Sequence, residues 1–271
     1  MDSPKIFRQW NLKTYKDMFD FFDGQRSRLK CGKNEIVLDI GCGPGDLTSK
    51  LVPSYFPPGT RLIGSDISQE MVTYAQVNYS NEMITFKQLD IGSDNIWNRW
   101  EKESVNKIIS IYVLHWVPNL RQAMVNMYSL LKENGAMFLL LPSQIPFMTI
   151  LGKIGENEEF MQYTKGAKYF HIHSTDYKVL IEDYTKMLKD IGFREVDVIN
   201  KEKCFHYSCY EALYDAVRSL DPYLKDIPEN LRERYSEVIQ NIAYNDKGVT
   251  LEPESGFVRI DYRLTYIYAR K

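Results

Sequence analysis

Residues 37–46 read Val37-Leu-Asp-Ile-Gly-Cys-Gly-Pro-Gly-Asp46, and this stretch decides the fold. A short apolar run that ends in three closely spaced glycines predicts a buried strand followed by a tight turn. Glycine tolerates positive φ and lets the backbone approach a ligand closely. Since a helical pattern follows, the stretch has the strand–turn–helix context that a nucleotide-binding turn requires.

The spacing of the three glycines excludes two common kinds of phosphate-binding turn. Gly41, Gly43 and Gly45 give the pattern G-x-G-x-G, whereas dinucleotide-binding enzymes use G-x-G-x-x-G. A P-loop is also excluded, because no Lys-Ser/Thr pair follows the turn. Asp39, just before the turn, suits a ligand with positive charge and no phosphate, because its carboxylate can face an amino or sulfonium group.

Short apolar strands alternate with amphipathic helices along much of the chain. An amphipathic helix is predicted at 5–29, and apolar–polar alternation at Phe257–Ala269 predicts a strand near the end. The alternation predicts an α/β fold, in which helices cover both faces of a mostly parallel sheet. Further strands are predicted at 36–40, 61–66, 84–88, 105–112, 136–141 and 193–200.

Two long segments interrupt this alternation, at about 142–178 and 203–255. Each follows a predicted strand and carries many aromatic residues. Since loops longer than about 15 residues in a compact domain are usually functional covers, we predict a single domain over 1–271 in which both insertions cover a substrate. Surface packing without a function is the alternative.

Two further acidic residues follow the strands that come after the glycine turn. Asp66 ends the next strand, about 20 residues beyond the turn, where a carboxylate is expected to bind ribose hydroxyls. Asp90 follows the third strand and is predicted to bind the exocyclic amine of adenine. Three acids at the carboxyl ends of successive strands, together with the glycines, predict a nucleoside-containing cofactor.

The composition limits the possible partners and the cellular setting. Of 271 residues, 44% are hydrophobic and 26% charged, which excludes global disorder. The net charge of −2 gives no field for steering nucleic acid or acidic membranes. Without a signal-peptide pattern, a bilayer-length apolar run or a CxxC pair, we expect a cytoplasmic protein with free thiols. We predict no metal, and His171-x-His173 is interpreted as a chance pair.

Four segments resemble class I S-adenosylmethionine-dependent methyltransferases, which have a Rossmann-like fold. They are the glycine turn, Gly64-Ser-Asp-Ile-Ser-Gln-Glu-Met-Val72, Leu89-Asp-Ile91 and Ser110-Ile-Tyr-Val-Leu-His-Trp116. Within that superfamily the chain resembles the juvenile hormone acid O-methyltransferases of insects and their arthropod relatives, over nearly its whole length.

This resemblance implies a seven-stranded sheet whose last strand is antiparallel. It also implies S-adenosylmethionine as methyl donor, with S-adenosylhomocysteine as product, and esterification of a sesquiterpenoid acid such as farnesoic acid or juvenile hormone acid. The cofactor-binding residues that we predict are Asp39, Gly41, Cys42, Gly43, Gly45, Asp66, Ile67, Asp90, Ile91 and Tyr112.

Methylation of a carboxylate needs positioning more than acid–base chemistry. With a pKa of ~4.3, a carboxylic acid is already ionised at neutral pH, so no general base is required. The site must strip water from the carboxylate and hold it in line with the methyl group. The resemblance implies that Trp116 helps to hold the substrate carboxylate through its indole N–H; a core aromatic at a strand end is the alternative.

One position departs from the pattern of the resembled family. A glutamine in the first helix usually shares the carboxylate with the tryptophan, and Thr14 occupies that position here. A threonine hydroxyl donates one hydrogen bond and has a shorter reach, so Gln9, Tyr15 or a water fills in, or the acceptor differs. His115 completes the predicted catalytic set of Trp116 and Thr14, although neutral packing is favoured over acid–base chemistry.

Two other functions remain open at the level of sequence. The acceptor can be another small acid, an amine or a phenol, or the chain can be an inactive binder of the cofactor or of a hydrophobic ligand. The missing glutamine is the only support for the second of these. We expect a small apolar carboxylic acid as substrate, no nucleic-acid or membrane partner, and either a monomer or a homodimer.

Overall fold

The computed structural model describes residues 12–30, 32, 34–164 and 177–271. In this part of the chain, strands and helices alternate as the sequence pattern predicts. The strands are β1 Ile36–Ile40, β2 Arg61–Asp66, β3 Ile84–Gln88, β4 Val105–Ile111, β5 Leu131–Gln144, β6 Glu195–Tyr207, β7 Val249–Leu251 and β8 Val258–Arg270. The helices are α1 Leu12–Gly24, α2 Asp46–Tyr55, α3 Gln69–Tyr79, α4 Leu120–Leu130, α5 Pro146–Gly155, α6 Met161–Thr164, α7 Tyr177–Ile191, α8 Tyr210–Leu220 and α9 Arg232–Tyr244.

The strands form one mixed sheet in the order β3-β2-β1-β4-β5-β8-β6, with β7 paired to β8. Strands β1 to β5 pair in parallel. The C-terminal strands are antiparallel, and β7 pairs with β8 in this sense. The predicted α/β fold with a mostly parallel sheet and an antiparallel last strand is therefore confirmed.

The order of the strands changes direction at β1, which lies between β2 and β4. In open α/β sheets, ligands bind outside the carboxyl ends of the strands at such a switch point. The glycine turn leaves β1 there, and Tyr112 leaves β4 beside it. The topology thus brings the two most distinctive sequence motifs to one edge of the sheet.

Several predicted boundaries differ from the structure. The helix predicted at 5–29 ends as α1 at Gly24, because glycine has a low helix propensity. The sixth predicted strand, 193–200, extends as β6 to Tyr207, and the fifth extends as β5 to Gln144, beyond Pro142. Proline removes one backbone donor but not the extended conformation, so it does not end this strand. The three-residue strand β7 lies in the insertion predicted at 203–255, where no strand was expected, and it is too short to show an alternating pattern.

The described part of the chain divides into two compact units. The sheet unit comprises 12–141, 177–199 and 265–271, and the helical unit comprises 142–164 and 200–264. The core of the sheet unit packs β1, β4 and β5 against α4 and α7. The helical unit has its own core, which includes Phe160 and Tyr235 with ring centroids 5.0 Å apart.

Candidate active site

The glycine turn adopts a conformation that other residues tolerate poorly. Gly41, Gly43 and Gly45 have φ angles of 76°, 54° and 85°. The backbone N–H groups of Gly41 and Cys42 both donate to the carbonyl of Ser65, at 2.7 and 2.8 Å, which ties the turn to β2. A Cβ on Gly41 would lie 2.1 Å from Cγ2 of Val113, so the turn is also closely packed.

Asp66 connects the turn to the start of the next helix. Its Oδ2 accepts from the N–H of Gly43 and its Oδ1 from the N–H of Ser68, both at 2.9 Å. Burial raises the pKa of this carboxyl group. Each carboxylate oxygen has two lone pairs, so both can still accept from ribose hydroxyls. The neighbouring Ile67 is 63% exposed and presents an apolar surface at the same place.

The predicted adenine contacts lie at the end of β3. Asp90 is exposed, and its Oδ1 accepts from the N–H of Gly92 at 3.0 Å. Ile91 is buried in the core, and its carbonyl accepts from Nδ2 of Asn126 at 2.8 Å. The side chain of Ile91 is therefore part of the core.

Asp39 lies beneath the turn and is 2% exposed. Its Oδ2 accepts from the hydroxyl of Thr48 at 2.6 Å. Burial raises the pKa of Asp39 to about 6, and the nearby charge of Asp66 adds to this increase. Cys42 is also buried, which raises the pKa of its thiol and keeps it neutral.

Helix α1 is bound to residues on both sides of the turn. Tyr15 donates from its hydroxyl to Oδ2 of Asp46, which directly follows the turn. Tyr112, with φ of 57°, donates from its hydroxyl to Oδ2 of Asp17 at 2.9 Å. Sequence reasoning did not find Asp17 or Asp46 as site residues. Gln9 lies outside the described residues, and so does the side chain of Thr14.

His115 and Trp116 lie in a single 3₁₀ turn, Leu114–Trp116, just after β4. His115 is 7% exposed, and burial lowers its pKa to about 3. Its Nδ1 is buried and has no hydrogen-bond partner within the described ranges. The imidazole is therefore neutral at physiological pH. Trp116 is half-buried, and its ring centroid lies 5.1 Å from that of His115.

Together these residues fit a positively charged nucleoside without phosphate. The glycine turn packs closely on its protein neighbours, with Val113 against Gly41 and Phe86 against Gly45, and buried carboxylates flank it at Asp39 and Asp46. One oxygen of Asp46, Oδ1, is buried without a hydrogen-bond partner in the described part of the chain. An acceptor in this state is open to a donor group on a ligand. An anionic phosphate would instead meet unfavourable charge.

Two features are absent from the part of the chain that the structure describes. No helix there combines the length and the apolar character needed to cross a membrane. Within the same residues, no three His, Cys, Asp or Glu side chains come together as a group that could hold a metal ion. His171 and His173 lie outside the described residues.

The pKa of Asp39 predicts a pH dependence of ligand binding. Because burial raises this pKa from 3.8 to about 6, the folded protein keeps a proton between these pH values that the unfolded chain loses. The resulting contribution to the free energy of unfolding is complete below pH 3.8 and is lost as the pH rises through about 6. A cationic ligand favours the ionised form, so its affinity rises with pH over the same range.

We expect the Kd of S-adenosylmethionine, the donor that the resemblance implies and whose sulfonium carries the positive charge, to be about tenfold higher at pH 5 than at pH 7, because binding of the cation is linked to loss of one proton. Isothermal titration calorimetry across this range measures the effect. The Asp39→Asn variant is the control, because its profile is expected to be flat. A wild-type profile without a slope would contradict the prediction.

Comparisons with known proteins agree with this geometry. A family model described as a methyltransferase domain matches residues 32–192. The juvenile hormone acid O-methyltransferase of Bombyx mori is 26% identical over 275 residues, covering 100% of this chain and 98% of that protein. The Drosophila melanogaster protein of the same name is 29% identical over 246 residues, covering 88% and 80%. The solved structure of the YcgJ protein of Bacillus subtilis shares the fold, with a TM-score of 0.60 and 17% identity over 93% of this chain and 98% of that chain.

Proposed function

The chain belongs to the methyltransferase domain family and uses S-adenosylmethionine as its cofactor, and on this premise we propose that it esterifies an apolar isoprenoid acid of the farnesoic or juvenile hormone acid type. The observation that supports a carboxylate as the methyl acceptor is the position of half-buried Trp116, in the turn after β4 at the switch point of the sheet. The names of the Bombyx and Drosophila relatives support the same acceptor class.

The residues of the site suit transfer of a methyl group to a carboxylate. When bound, the cofactor supplies a methyl group on a positively charged sulfur. The acceptor arrives ionised, so the protein has to orient it, and the indole N–H of Trp116 is the donor that we assign to this task. His115 is neutral because its pKa is about 3, so it adds no charge that would compete for the carboxylate.

The part of the site that we assign to the cofactor carries negative charge, unlike the part around Trp116. The carboxylates of Asp39 and Asp46 lie beside the glycine turn, where they stabilise the positive charge of the donor. The acceptor carboxylate would be repelled from these groups. This separation of charge favours an approach of the acceptor from the side of Trp116.

The helical unit supports an apolar rather than a polyanionic acceptor. Half-buried aromatic side chains surround its core, and burial raises the pKa of Tyr207 to about 12, so that its phenol stays neutral. Several of its cations are already paired with carboxylates, among them Lys153 with Asp246 and Arg263 with Glu202. As part of the proposal, the predicted insertions at 142–178 and 203–255 cover the hydrocarbon part of the acceptor.

A panel of acceptors with methyl-labelled S-adenosylmethionine tests this function. Farnesoic acid and juvenile hormone acid are expected to give labelled methyl esters, while a tricarboxylic acid, an aromatic amine and a phenol are not. Extraction into organic solvent and release of label by base identify an ester. Labelling of the polar acid, amine or phenol alone would replace the proposed acceptor class. Binding of S-adenosylhomocysteine without labelling of any acceptor would instead indicate an inactive binder.

A further inference from the structure

Helix α1 spans the glycine turn. The hydroxyl of Tyr15 binds Asp46, which follows the last glycine of the turn. The hydroxyl of Tyr112 binds Asp17, and the next residue, Val113, packs against the first glycine, Gly41. Since Tyr15 and Asp17 belong to one turn of α1, these two hydrogen bonds hold the helix at both ends of the glycine turn.

Among the described residues, only one of the two carboxylate oxygens of Asp46 has a hydrogen-bond donor. Asp46 is 5% exposed, and Oδ2 accepts from Tyr15. Oδ1 is buried and has no hydrogen-bond partner among the residues that the structure describes. The neighbouring Lys50 does not supply one, since its Nζ lies over the ring of Tyr15, 4.1 Å from the centroid. A buried carboxylate oxygen without a donor is unfavourable, unless a ligand provides the donor.

The other two carboxylates of the turn have their donors within the protein. Asp66 accepts from two backbone N–H groups, one on each oxygen. Asp39 accepts from the hydroxyl of Thr48 and lies beneath the turn. Of these three carboxylates, the one with a buried oxygen that can still accept a hydrogen bond is therefore Asp46. It directly follows the turn.

We infer that Asp46 receives the ammonium group of the methionine moiety of the donor through Oδ1, with Tyr15 as the positioning residue that fixes the carboxylate for this contact. An ammonium group has three donors and no acceptor, which complements an unpaired carboxylate oxygen. This assignment rests on the methyl-donor part of the proposed function and is independent of which acid is methylated.

Two ligands that differ in the amino acid moiety test the assignment without turnover. S-adenosylhomocysteine carries the ammonium group, whereas 5′-methylthioadenosine has the same adenosine and thioether but no amino acid. We expect Asp46→Asn to raise the Kd of S-adenosylhomocysteine about 10- to 100-fold, the range for hydrogen bonds to charged groups. The Kd of 5′-methylthioadenosine is expected to change by less than about twofold. Calorimetry measures both.

Tyr15→Phe provides an independent variant, because it retains the ring and removes the hydroxyl. Its Kd for S-adenosylhomocysteine is expected to rise about three- to tenfold, since the carboxylate remains but is no longer held. The Kd of 5′-methylthioadenosine is again expected to stay constant. Matched controls are Asp94→Asn and Tyr244→Phe, which change exposed residues and should leave both affinities unchanged. Thermal unfolding of every variant establishes that it is folded.

The outcomes separate this assignment from the proposed function. Equal losses for the two ligands would give Asp46 a purely structural role and overturn the inference, as would unchanged affinity for both. If the wild-type protein bound neither ligand, the inference and the cofactor would fail together. If it bound both ligands with the expected difference but methylated no acid, the proposed acceptor would fail while the role of Asp46 stood.

Discussion

Replacing Trp116 with phenylalanine is expected to lower kcat/KM for the acid about 100-fold or more, while the affinity for S-adenosylhomocysteine stays within about twofold. The substitution retains an aromatic ring in the turn after β4 but removes the indole N–H, the donor assigned to the acceptor carboxylate. Loss of one donor at a reacting centre typically costs about 10²–10³ in rate. Initial rates with labelled cofactor, combined with calorimetry, measure the two quantities separately.

The control for this variant is Trp97→Phe. Trp97 is also half-buried and packs against the core of the sheet unit, but it lies in the loop after β3. We expect its kcat/KM to stay within about twofold of the wild-type value. If Trp116→Phe kept the wild-type rate, the tryptophan would be a packing residue. Trp116→Ala should also leave cofactor affinity unchanged, because the cofactor contacts come from other strand ends.

The strand ends were the most predictable part of this molecule. The glycine pattern, Asp39, Asp66 and Asp90 each follow from local sequence, because the carboxyl ends of parallel strands meet at one edge of a sheet. Such a prediction needs only the period of the hydrophobic residues and the positions of turns. The position of Trp116 follows in the same way from the length of β4.

Contacts between distant segments could not be predicted in this way. Tyr15 and Asp46 are 31 residues apart in sequence, and Asp17 and Tyr112 are 95 apart. Each residue alone reads as an ordinary member of a helix or loop, and only tertiary packing pairs the hydroxyls with the carboxylates. Their one sequence signal is the position of Asp46 directly after the last glycine of the turn.

The catalytic predictions for His115 and Thr14 differ in how far the structure describes the two side chains. The pKa of His115 depends on burial by residues from several elements, which periodicity does not reveal; the structure makes the imidazole neutral. Sequence reasoning favoured neutral packing over acid–base chemistry, and the neutral imidazole agrees with this. The role of Thr14 stays a prediction, because its side chain lies outside the described residues.

Gly41→Ala is expected to abolish measurable binding of S-adenosylhomocysteine and to lower the free energy of unfolding. The φ angle of 76° costs a residue with a side chain about 1–2 kcal/mol. The new Cβ would also lie 2.1 and 2.6 Å from the two Cγ atoms of Val113, whose β-branched side chain has little rotamer freedom. Overpacking of this kind adds about 1–3 kcal/mol. Chemical denaturation and calorimetry measure the two effects.

A second variant separates the backbone effect from the steric one. In Gly41→Ala combined with Val113→Ala, the clash is relieved but the positive φ remains, so only part of the stability should return. Gly152→Ala is the matched control, because Gly152 lies inside α5 with nothing within 4 Å of its added Cβ. It is expected to stabilise the protein by about 0.5–1 kcal/mol and to leave cofactor affinity unchanged. If Gly41→Ala behaved like Gly152→Ala, the close packing of Gly41 on Val113 would not be needed to hold the turn in its binding conformation, and the prediction would be wrong.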